Sequence, residues 1–322
     1  MATQVAQGCT KQLVNIFTIV DCDTQLTVCD HCQKHKLPGK SYGLLPERDV
    51  VSRPWHEIAV DLIGPWKVKI RNKVVTFNAL TVIDTASNLV EIIRVDNKTC
   101  RHVTDKLRQC WLSRYPRPQR IVHDGGGEFV GHEFKELCRA FGDISDPQST
   151  AKNPQSNAVC ERMHQTAGNV LRVLLYSNPP KNMTQAKDIM DDALATAMHA
   201  MRTVIATSLG STPGALAFGR DMLLNVPLVA DWMAITRARE QKVNENLRRE
   251  NAKRRSYDYK QGQQVLKLVF KPTKLGRRTF GPFTIERVHV NGNITMQLRP
   301  GLLERINVRR VIPYHVPTID PP

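Results

Sequence analysis

The sequence predicts an α/β protein in which a mixed sheet with several helices is followed by a small, separate β-barrel. Alternating apolar positions first indicate three adjacent strands with short turns between them, an order typical of an antiparallel meander. Helical periodicity and one more short, buried strand follow. Beyond residue 260, five short strand patterns joined by Pro, Gly or Asn-Gly turns instead favour a small barrel.

The first strand pattern, WHEIAVDLIGPW, places Ile58, Val60 and Leu62 on one face, and we expect this strand to end at Gly64-Pro65. Two further strands are predicted in KVVTFNALTVID and NLVEIIRV, and a short one in QRIVHD before three glycines. Helical spacing predicts helices over the ranges 99–114, 154–176 and 184–206 and over the stretch HEFKELCRAF. Strands and helices in this order are compatible with an RNase H-like sheet.

Positive charge is concentrated at the C-terminal end of the chain. The 322 residues carry 46 Lys and Arg against 30 Asp and Glu, a formal charge of +16, and 41% of the residues are hydrophobic. The stretch from Arg237 to Pro322 carries 19 Lys and Arg against 7 Asp and Glu, so it accounts for +12 of that charge. Such a module is typical of a protein that meets nucleic acid or an acidic membrane surface, although a simply solvated surface stays open as an alternative.

Membrane proteins and disulfide-rich secreted proteins do not fit the sequence. No apolar run of about 18 residues is present, so no segment is predicted to span a membrane. The N-terminus carries no basic-then-apolar signal peptide, and we therefore expect a protein that is not secreted. The eight Cys residues then favour reduced thiols or a metal site over a disulfide framework.

Three acidic residues are candidates for catalysis, and each has an alternative structural explanation. Asp61 lies among apolar residues of the first strand, where a carboxylate is costly unless it is paired, binds a metal or lies on the exposed face of an edge strand. Asp124 ends the QRIVHD strand, and Asp before Gly is also common in turns. Glu161 lies in the first turns of the long helix, where it also interacts favourably with the helix dipole.

Together the three acids predict a metal site. Carboxylates on two neighbouring strands and on a helix packed across them can converge on one point, and such oxygen ligands bind Mg²⁺ or Mn²⁺. Two such cations activate an attacking oxygen and stabilise the leaving oxygen of a phosphodiester. On the helix, Gln165 and Arg172 share a polar face with Glu161 and would lie along a DNA strand. We expect His123 and His164, which flank two of the acids, to be surface residues, with support of the acids or DNA contact as the alternative.

Three stretches resemble the catalytic blocks of the DDE integrases of gypsy-type LTR retrotransposons and retroviruses. They are HEIAVDLIGPW, IVHDGGGEFVGHEF and NPQSNAVCERMHQ, and the spacing from Pro154 to Glu161 in the third equals that of the family pattern. SLGSTPGALAFGRDMLLNVP resembles the stretch that closes the family's catalytic core, and RRTFGPFTIERV resembles its C-terminal GPY/F module. The resemblance covers roughly residues 25–315.

This resemblance implies a polynucleotidyl transferase that trims the 3′ ends of element cDNA and joins them to host DNA. Asp61, Asp124 and Glu161 would be the catalytic acids and would bind two Mg²⁺ or Mn²⁺ ions. The cationic C-terminal module would supply DNA affinity that is mainly independent of sequence. DNA contacts are expected at the following positions: Asn157, Gln155, Arg162, Gln165, Arg172, Lys271, Lys274, Arg277 and Arg278.

The N-terminal end departs from the family pattern. Family members begin with a His-His-Cys-Cys zinc domain, and CDHCQKHK resembles only its second half, with Cys29 and Cys32 as zinc ligands. No His precedes His31, so Cys9 and Cys22 would have to complete a four-Cys site. Otherwise the segment is half a module and binds no Zn²⁺.

The implied architecture is an RNase H-like α/β catalytic core between two smaller parts. The predicted divisions are a truncated or degenerate zinc-binding module (1–36), a linker (37–54), the catalytic core (55–225), a basic helical linker (226–260) and an SH3-like GPY/F module (261–315). The resemblance also implies action in the nucleus after passage in a cytoplasmic particle. Element cDNA ends and target DNA would be the partners of a homo-oligomer.

Two other functions are compatible with the sequence. A catalytically inactive, domesticated DNA-binding protein would keep the integrase fold; the incomplete zinc motif favours it and the complete acid triad argues against it. A generic RNase H-like nuclease would cut DNA without joining it, but the GPY/F-like stretch would then be unexpected.

Overall fold

The computed structural model describes residues 30–36, 39–47, 53–123, 126–142, 144, 158–177, 179–207, 209–270 and 272–316, with the backbone alone for residues 158–162. The chain divides into two compact units. Glu47–Arg248 forms one, here called the core unit, and Met1–Pro46 together with Arg249–Pro322 forms the other, here called the terminal unit. No helix in the described ranges combines the length and the apolar character that a membrane span requires.

The helices and strands follow one another along both units. In chain order they are α1 (Asp30–His35), β1 (Ser41–Tyr42), β2 (Glu57–Ile70), β3 (Lys73–Asp84), β4 (Val90–Val95), α2 (Cys100–Leu107) with a π-helical turn (Arg108–Leu112), β5 (Arg120–Val122), α3 (Gly127–Val130), α4 (His132–Ala140), α5 (Ala158–Ser177), α6 (Met183–Thr203), α7 (Pro213–Phe218), α8 (Trp232–Asn251), β6 (Arg254–Arg255), β7 (Gln264–Leu268), β8 (Thr279–Val288), β9 (Asn293–Arg299), β10 (Leu302–Asn307), a 3₁₀ turn (Val308–Arg310) and β11 (Val311–Pro313).

The core unit contains a four-stranded mixed sheet in the order β4-β3-β2-β5. Strand β3 pairs antiparallel with both β2 and β4, which confirms the predicted meander. Strand β5 joins β2 in parallel, because the chain crosses over through α2 before it returns to the sheet. The mixed α/β order predicted from the sequence is therefore present.

Helices cover both faces of this sheet, and the side chains of β2 alternate between them. Ile58 and Val60 pack with α2, α3 and α4 in one buried cluster. Ala59 and Ile63 pack with α5 and α6 in another. Since side chains of a strand alternate with a period of two, Asp61 shares the face of Ala59 and Ile63. The acid of the first strand therefore lies on the side of the sheet that α5 covers.

The expectation that the first strand ends at Gly64-Pro65 is wrong, because β2 continues to Ile70. Its pairing with β3 shifts register between Ile63 and Trp66 and then resumes. Gly64 has φ 115°, and a Cβ there would come within 2.7 Å of the carbonyl oxygen of Phe77. Glycine therefore permits the close approach of the two strands, and Pro is tolerated in a strand at such a bulge.

The terminal unit contains an antiparallel five-stranded sheet in the order β10-β9-β8-β7-β11, which confirms the five strands predicted beyond residue 260. The Asn-Gly turn between β8 and β9 is also confirmed, with Gly292 at φ 73°. Lys267 on β7 forms a salt bridge with Glu304 on β10, although two strands separate β7 from β10 in the sheet. The sheet is therefore strongly curled.

Residues that precede the core unit in the chain also belong to the terminal unit. Strand β1 pairs in parallel with β6. The Arg254 guanidinium donates hydrogen bonds to the carbonyl oxygens of Tyr42, Gly43 and Val308. The predicted divisions of the chain stay predictions, but the described residues 39–46 of the expected linker, 37–54, group with the terminal unit.

A buried ion pair joins α6 to β4 in the core unit. The Arg202 guanidinium on α6 forms a salt bridge with Glu91 on β4, and their side chains are 14% and 6% exposed. Arg202 also donates to the carbonyl oxygen of Val90, and the Tyr115 hydroxyl donates to the Glu91 carboxylate. Removing only the cation would leave a buried negative charge without its partner, which is strongly destabilising.

We expect Arg202→Met to lower the free energy of unfolding by about 3–5 kcal/mol, measured by urea denaturation. The matched control is Arg108→Met, because the Arg108–Asp105 ion pair is exposed at 55% and 44% of its side chains. The control should cost less than about 1 kcal/mol. Equal costs for the two variants would show that burial does not set the strength of the Arg202–Glu91 pair.

Candidate functional site

Of the three predicted acids, Asp61 is the one whose side chain the structure describes, and this side chain is largely buried. The side chain is 18% exposed, and its Oδ1 atom accepts a hydrogen bond of 2.8 Å from the backbone N–H of Leu62. Thr81 lies directly opposite on β3, so its side chain is on the same face of the sheet. The alternative that Asp61 lies on an exposed face is therefore wrong, because its side chain is largely buried on the face of the sheet that α5 covers.

His164 on α5 faces Asp61. Its Nε2 atom is 3.9 Å from Asp61 Oδ2 and 3.3 Å from Thr81 Oγ1. Burial lowers the pKa of His164 to about 4, so the ring is neutral at pH 7 and the two residues do not form an ion pair. The expectation that His164 is a surface residue is wrong, because α5 packs this face of the helix onto the sheet.

His123 is also buried, at 2% exposure, and its ring packs against Phe129 and Phe134. The expectation of a surface position is therefore wrong for this histidine too. The aromatic side chains of α3 and α4 cover His123 and the neighbouring Ile121 of β5. His123 thus belongs to the core on the sheet face opposite Asp61's helix α5.

The structure does not describe the side chains of the other two predicted acids. Asp124 lies outside the described residues, and Glu161 lies in α5 with its side chain undescribed. Among the side chains that the structure does describe, no group of three His, Cys, Asp or Glu residues forms a metal site. The acid triad therefore stays a prediction for all three residues.

The predicted DNA contacts fall into two groups. Gln165 and Arg172 are both exposed on α5, seven residues apart and therefore on one helix face, and Arg172 donates to Asn169 Oδ1 at 2.9 Å. Lys274 and Arg277 are exposed in the loop between β7 and β8. Arg278 is half-buried in the same loop. The structure does not describe the side chains of the remaining four residues, which are Gln155, Asn157, Arg162 and Lys271.

Helix α1, which carries Cys32, is attached to the end of the terminal sheet. Gln33 donates from Nε2 to the carbonyl oxygen of His315 at 2.8 Å and accepts from the His315 N–H at 2.9 Å. The Tyr314 hydroxyl donates to the Asp30 carboxylate at 2.9 Å. Cys32 is half-buried, and Cys29 lies outside the described residues, so zinc binding by the pair stays a prediction.

Thr81 is the residue that sequence reasoning missed. It is fully buried, and its hydroxyl donates to the carbonyl oxygen of Asp61 at 3.0 Å. From the sequence, a Thr between Leu80 and Val82 predicts only a strand, because the sequence does not show which residue faces it across the sheet. The strand register is what brings Thr81 to Asp61.

Known proteins give this geometry its context. No protein-family model matches the chain. It is 23% identical over 284 residues, or 80% of its length, to the retrovirus-related Pol polyprotein from transposon 412 of Drosophila melanogaster. It is 28% identical over 116 residues, or 35% of its length, to gypsy retrotransposon integrase-like protein 1 of Bos taurus. The chain spans 22% of the length of each of these relatives.

The backbone also matches a solved structure. It aligns with a chain of the simian T-cell lymphotropic virus intasome in complex with PP2A regulatory subunit B56 gamma, with a TM-score of 0.62 at 16% identity. The alignment covers 97% of this chain and 98% of that chain. The chain is similar to retrotransposon and retroviral integrases. This similarity confirms the resemblance predicted from the three motif blocks, and the α/β fold of the core unit is of the integrase type.

Proposed function

We propose that this chain is a retrotransposon integrase that processes the 3′ ends of element cDNA and joins them to host DNA, with Asp61, Asp124 and Glu161 as its metal-binding acids. The observation that carries the proposal is the position of Asp61. Its carboxylate is largely buried on the sheet face that α5 covers, and it lies 3.9 Å from the His164 ring of that helix. Carboxylate oxygens are the ligands that Mg²⁺ and Mn²⁺ prefer, so an acid at this position fits a ligand for a metal ion.

Strand register supports a place for Asp124 beside Asp61. In the parallel pair, Ala59 of β2 faces Val122 of β5. Asp61 follows Ala59 by two residues, and Asp124 follows Val122 by two residues. Both acids would therefore project from neighbouring strands at the same level of the sheet if the register continues.

Helix geometry supports a place for Glu161 at the same site. Glu161 precedes His164 by three residues in α5, so the two lie on one helix face about one turn apart. Because His164 faces Asp61, a side chain one turn earlier on that face would reach the same end of the sheet. The donor set of three carboxylates fits Mg²⁺ or Mn²⁺, which bind oxygen ligands.

The residues of the chain would divide the reaction between them. The three acids would hold two Mg²⁺ or Mn²⁺ ions, which when bound activate an attacking oxygen and stabilise the leaving oxygen of a phosphodiester. Gln165 and Arg172 would contact the DNA strand that lies along α5, and Asn157, Gln155 and Arg162 would contact it near the start of that helix. Lys271, Lys274, Arg277 and Arg278, in the predicted SH3-like module, would contact phosphates independently of sequence.

The setting of this reaction is part of the proposal. The similarity to a chain of a viral intasome and to a transposon Pol polyprotein supports a homo-oligomer that works on cDNA ends and target DNA. The formal charge of +16 supports a nucleic-acid partner. The chain would act in the nucleus, after passage in a cytoplasmic particle.

A strand-transfer experiment tests the proposed function. The purified chain is incubated with Mg²⁺ and a pool of end-labelled DNA duplexes with randomised terminal sequences, and the products are sequenced. We expect shortened 3′ ends and longer, joined products, both lost when EDTA removes the metal. Cutting without joining would instead indicate a nuclease, and DNA binding without either product an inactive DNA-binding protein; either result would overturn the proposal.

A further inference from the structure

A buried hydroxyl group connects Asp61 to helix α5. The Thr81 hydroxyl has one hydrogen, which it donates to the carbonyl oxygen of Asp61 at 3.0 Å, since that oxygen can only accept. The same hydroxyl oxygen is 3.3 Å from His164 Nε2. Having given its hydrogen to Asp61, Thr81 can only accept from the ring, so the Nε2 atom of His164 carries the proton.

The proton on Nε2 determines which group of His164 lies next to Asp61. The protonated Nε2 atom lies 3.9 Å from Asp61 Oδ2, so a polarised N–H group rather than a lone pair faces that side of the carboxylate. On the other side, Asp61 Oδ1 accepts the N–H of Leu62 at 2.8 Å. The carboxylate thus accepts a hydrogen bond from its own strand, while the His164 N–H donates to Thr81 and lies beside the carboxylate without bonding to it.

We infer that His164 is a positioning residue for Asp61, which acts through its contact with Thr81 and fixes the carboxylate relative to the helix that carries Glu161. The inference rests on the proposed function and adds to it a specific requirement. The residue at position 164 must present an N–H donor at the reach of Nε2, because metal ligands need to be held within about 0.5 Å of their productive positions. A side chain of similar size without that donor would leave the Asp61 carboxylate less well placed.

The test measures metal binding directly. Mn²⁺ affinity of the full chain with duplex DNA is followed by the loss of the free Mn²⁺ signal in electron paramagnetic resonance. We expect His164→Leu to weaken Mn²⁺ binding by about 10- to 100-fold, the usual loss when a group that orients a metal ligand is removed. His164→Gln should stay within about threefold of the unchanged chain, because its amide N–H reaches a similar position.

A second variant protects the test against misfolding at position 164. Thr81→Val keeps the shape of a fully buried side chain and removes the hydroxyl. Thr81→Val should also weaken Mn²⁺ binding. The loss of affinity in the double variant with His164→Leu should be smaller than the product of the two single losses, because both substitutions remove the same Thr81–His164 contact. His199→Leu, at an exposed position on α6, is the matched control and should leave Mn²⁺ binding unchanged.

The outcomes separate this inference from the function on which it rests. If His164→Leu and Thr81→Val bind Mn²⁺ as tightly as the unchanged chain, the positioning role is wrong while the metal site stands. If the unchanged chain binds Mn²⁺ no better than Asp61→Asn does, the metal site itself is wrong and the proposed function fails with it. Weak binding by His164→Gln together with His164→Leu would show that the N–H donor is not what matters, and it too would overturn the inference.

Discussion

Asp124→Asn is expected to abolish strand transfer in Mg²⁺ while DNA binding persists. Asn keeps the shape of Asp but removes the negative charge and replaces one oxygen by an N–H₂ group, so it is a much poorer ligand for a hard cation. We expect a loss of at least about 10³-fold in rate, or about 4 kcal/mol of transition-state stabilisation. The measurement is the single-turnover rate of joined-product formation, with DNA affinity determined in parallel by fluorescence anisotropy.

The matched control for this change is Asp192→Asn, which removes the same charge from an exposed position on α6. The control should change neither the rate nor the DNA affinity by more than about twofold, because an exposed carboxylate is well solvated and screened. Strand transfer by Asp124→Asn at the rate of the control would contradict the two-metal mechanism. A parallel loss of DNA binding would instead indicate that Asp124 maintains the fold.

Arg254→Ala is expected to loosen the terminal unit without affecting the core unit. The guanidinium donates to three carbonyl oxygens that come from distant parts of the chain, at Tyr42, Gly43 and Val308. Its removal leaves the carbonyl groups of buried Gly43 and Val308 and of half-buried Tyr42 without their charged donor, at a cost of about 3 kcal/mol. Amide hydrogen exchange of the full chain should therefore accelerate by about 100-fold in β7, β8 and β9, with β2 and β3 as the internal reference.

The neighbouring residue provides the control for Arg254. Arg255 is exposed, and it contacts the Tyr42 side chain through a hydrogen bond of 3.1 Å to the hydroxyl and a cation–π contact of 5.5 Å to the ring centroid. Arg255→Ala should change exchange in the terminal sheet by less than about fivefold, because exposed contacts of this kind contribute about 1 kcal/mol or less. Equal acceleration by the two variants would show that charge, rather than the three carbonyl contacts, maintains this unit.

Local patterns predicted the elements well where one physical requirement dominated. Apolar strand patterns identified β2, β3 and β4, because side chains on both faces of these strands pack against helices. Helical spacing identified α4, α5 and α6 for the same reason. The end of β2 was mispredicted, since the bulge at Gly64-Pro65 depends on the approach of Phe77 from the next strand.

The candidate site also contains residues that the sequence predicts and residues that only the structure reveals. Asp61 could be chosen from the sequence because a carboxylate within an apolar strand requires an explanation, and the surrounding motif supplied one. Its neighbours Thr81 and His164 could not, because their relation to Asp61 depends on strand register and on how α5 packs across the sheet. Periodicity gives the face on which a side chain lies, but not the side chain that meets it.

The sequence by itself therefore determined the class of fold, the acid motifs, the family resemblance and the concentration of positive charge after Arg237. Each of these is a property of neighbouring residues or of composition. Only the tertiary structure decided that residues 39–46 belong with the terminal sheet, and that a neutral histidine and a buried hydroxyl meet Asp61. These contacts join residues that are 20 to 212 positions apart, and no local periodicity encodes a pairing over such distances.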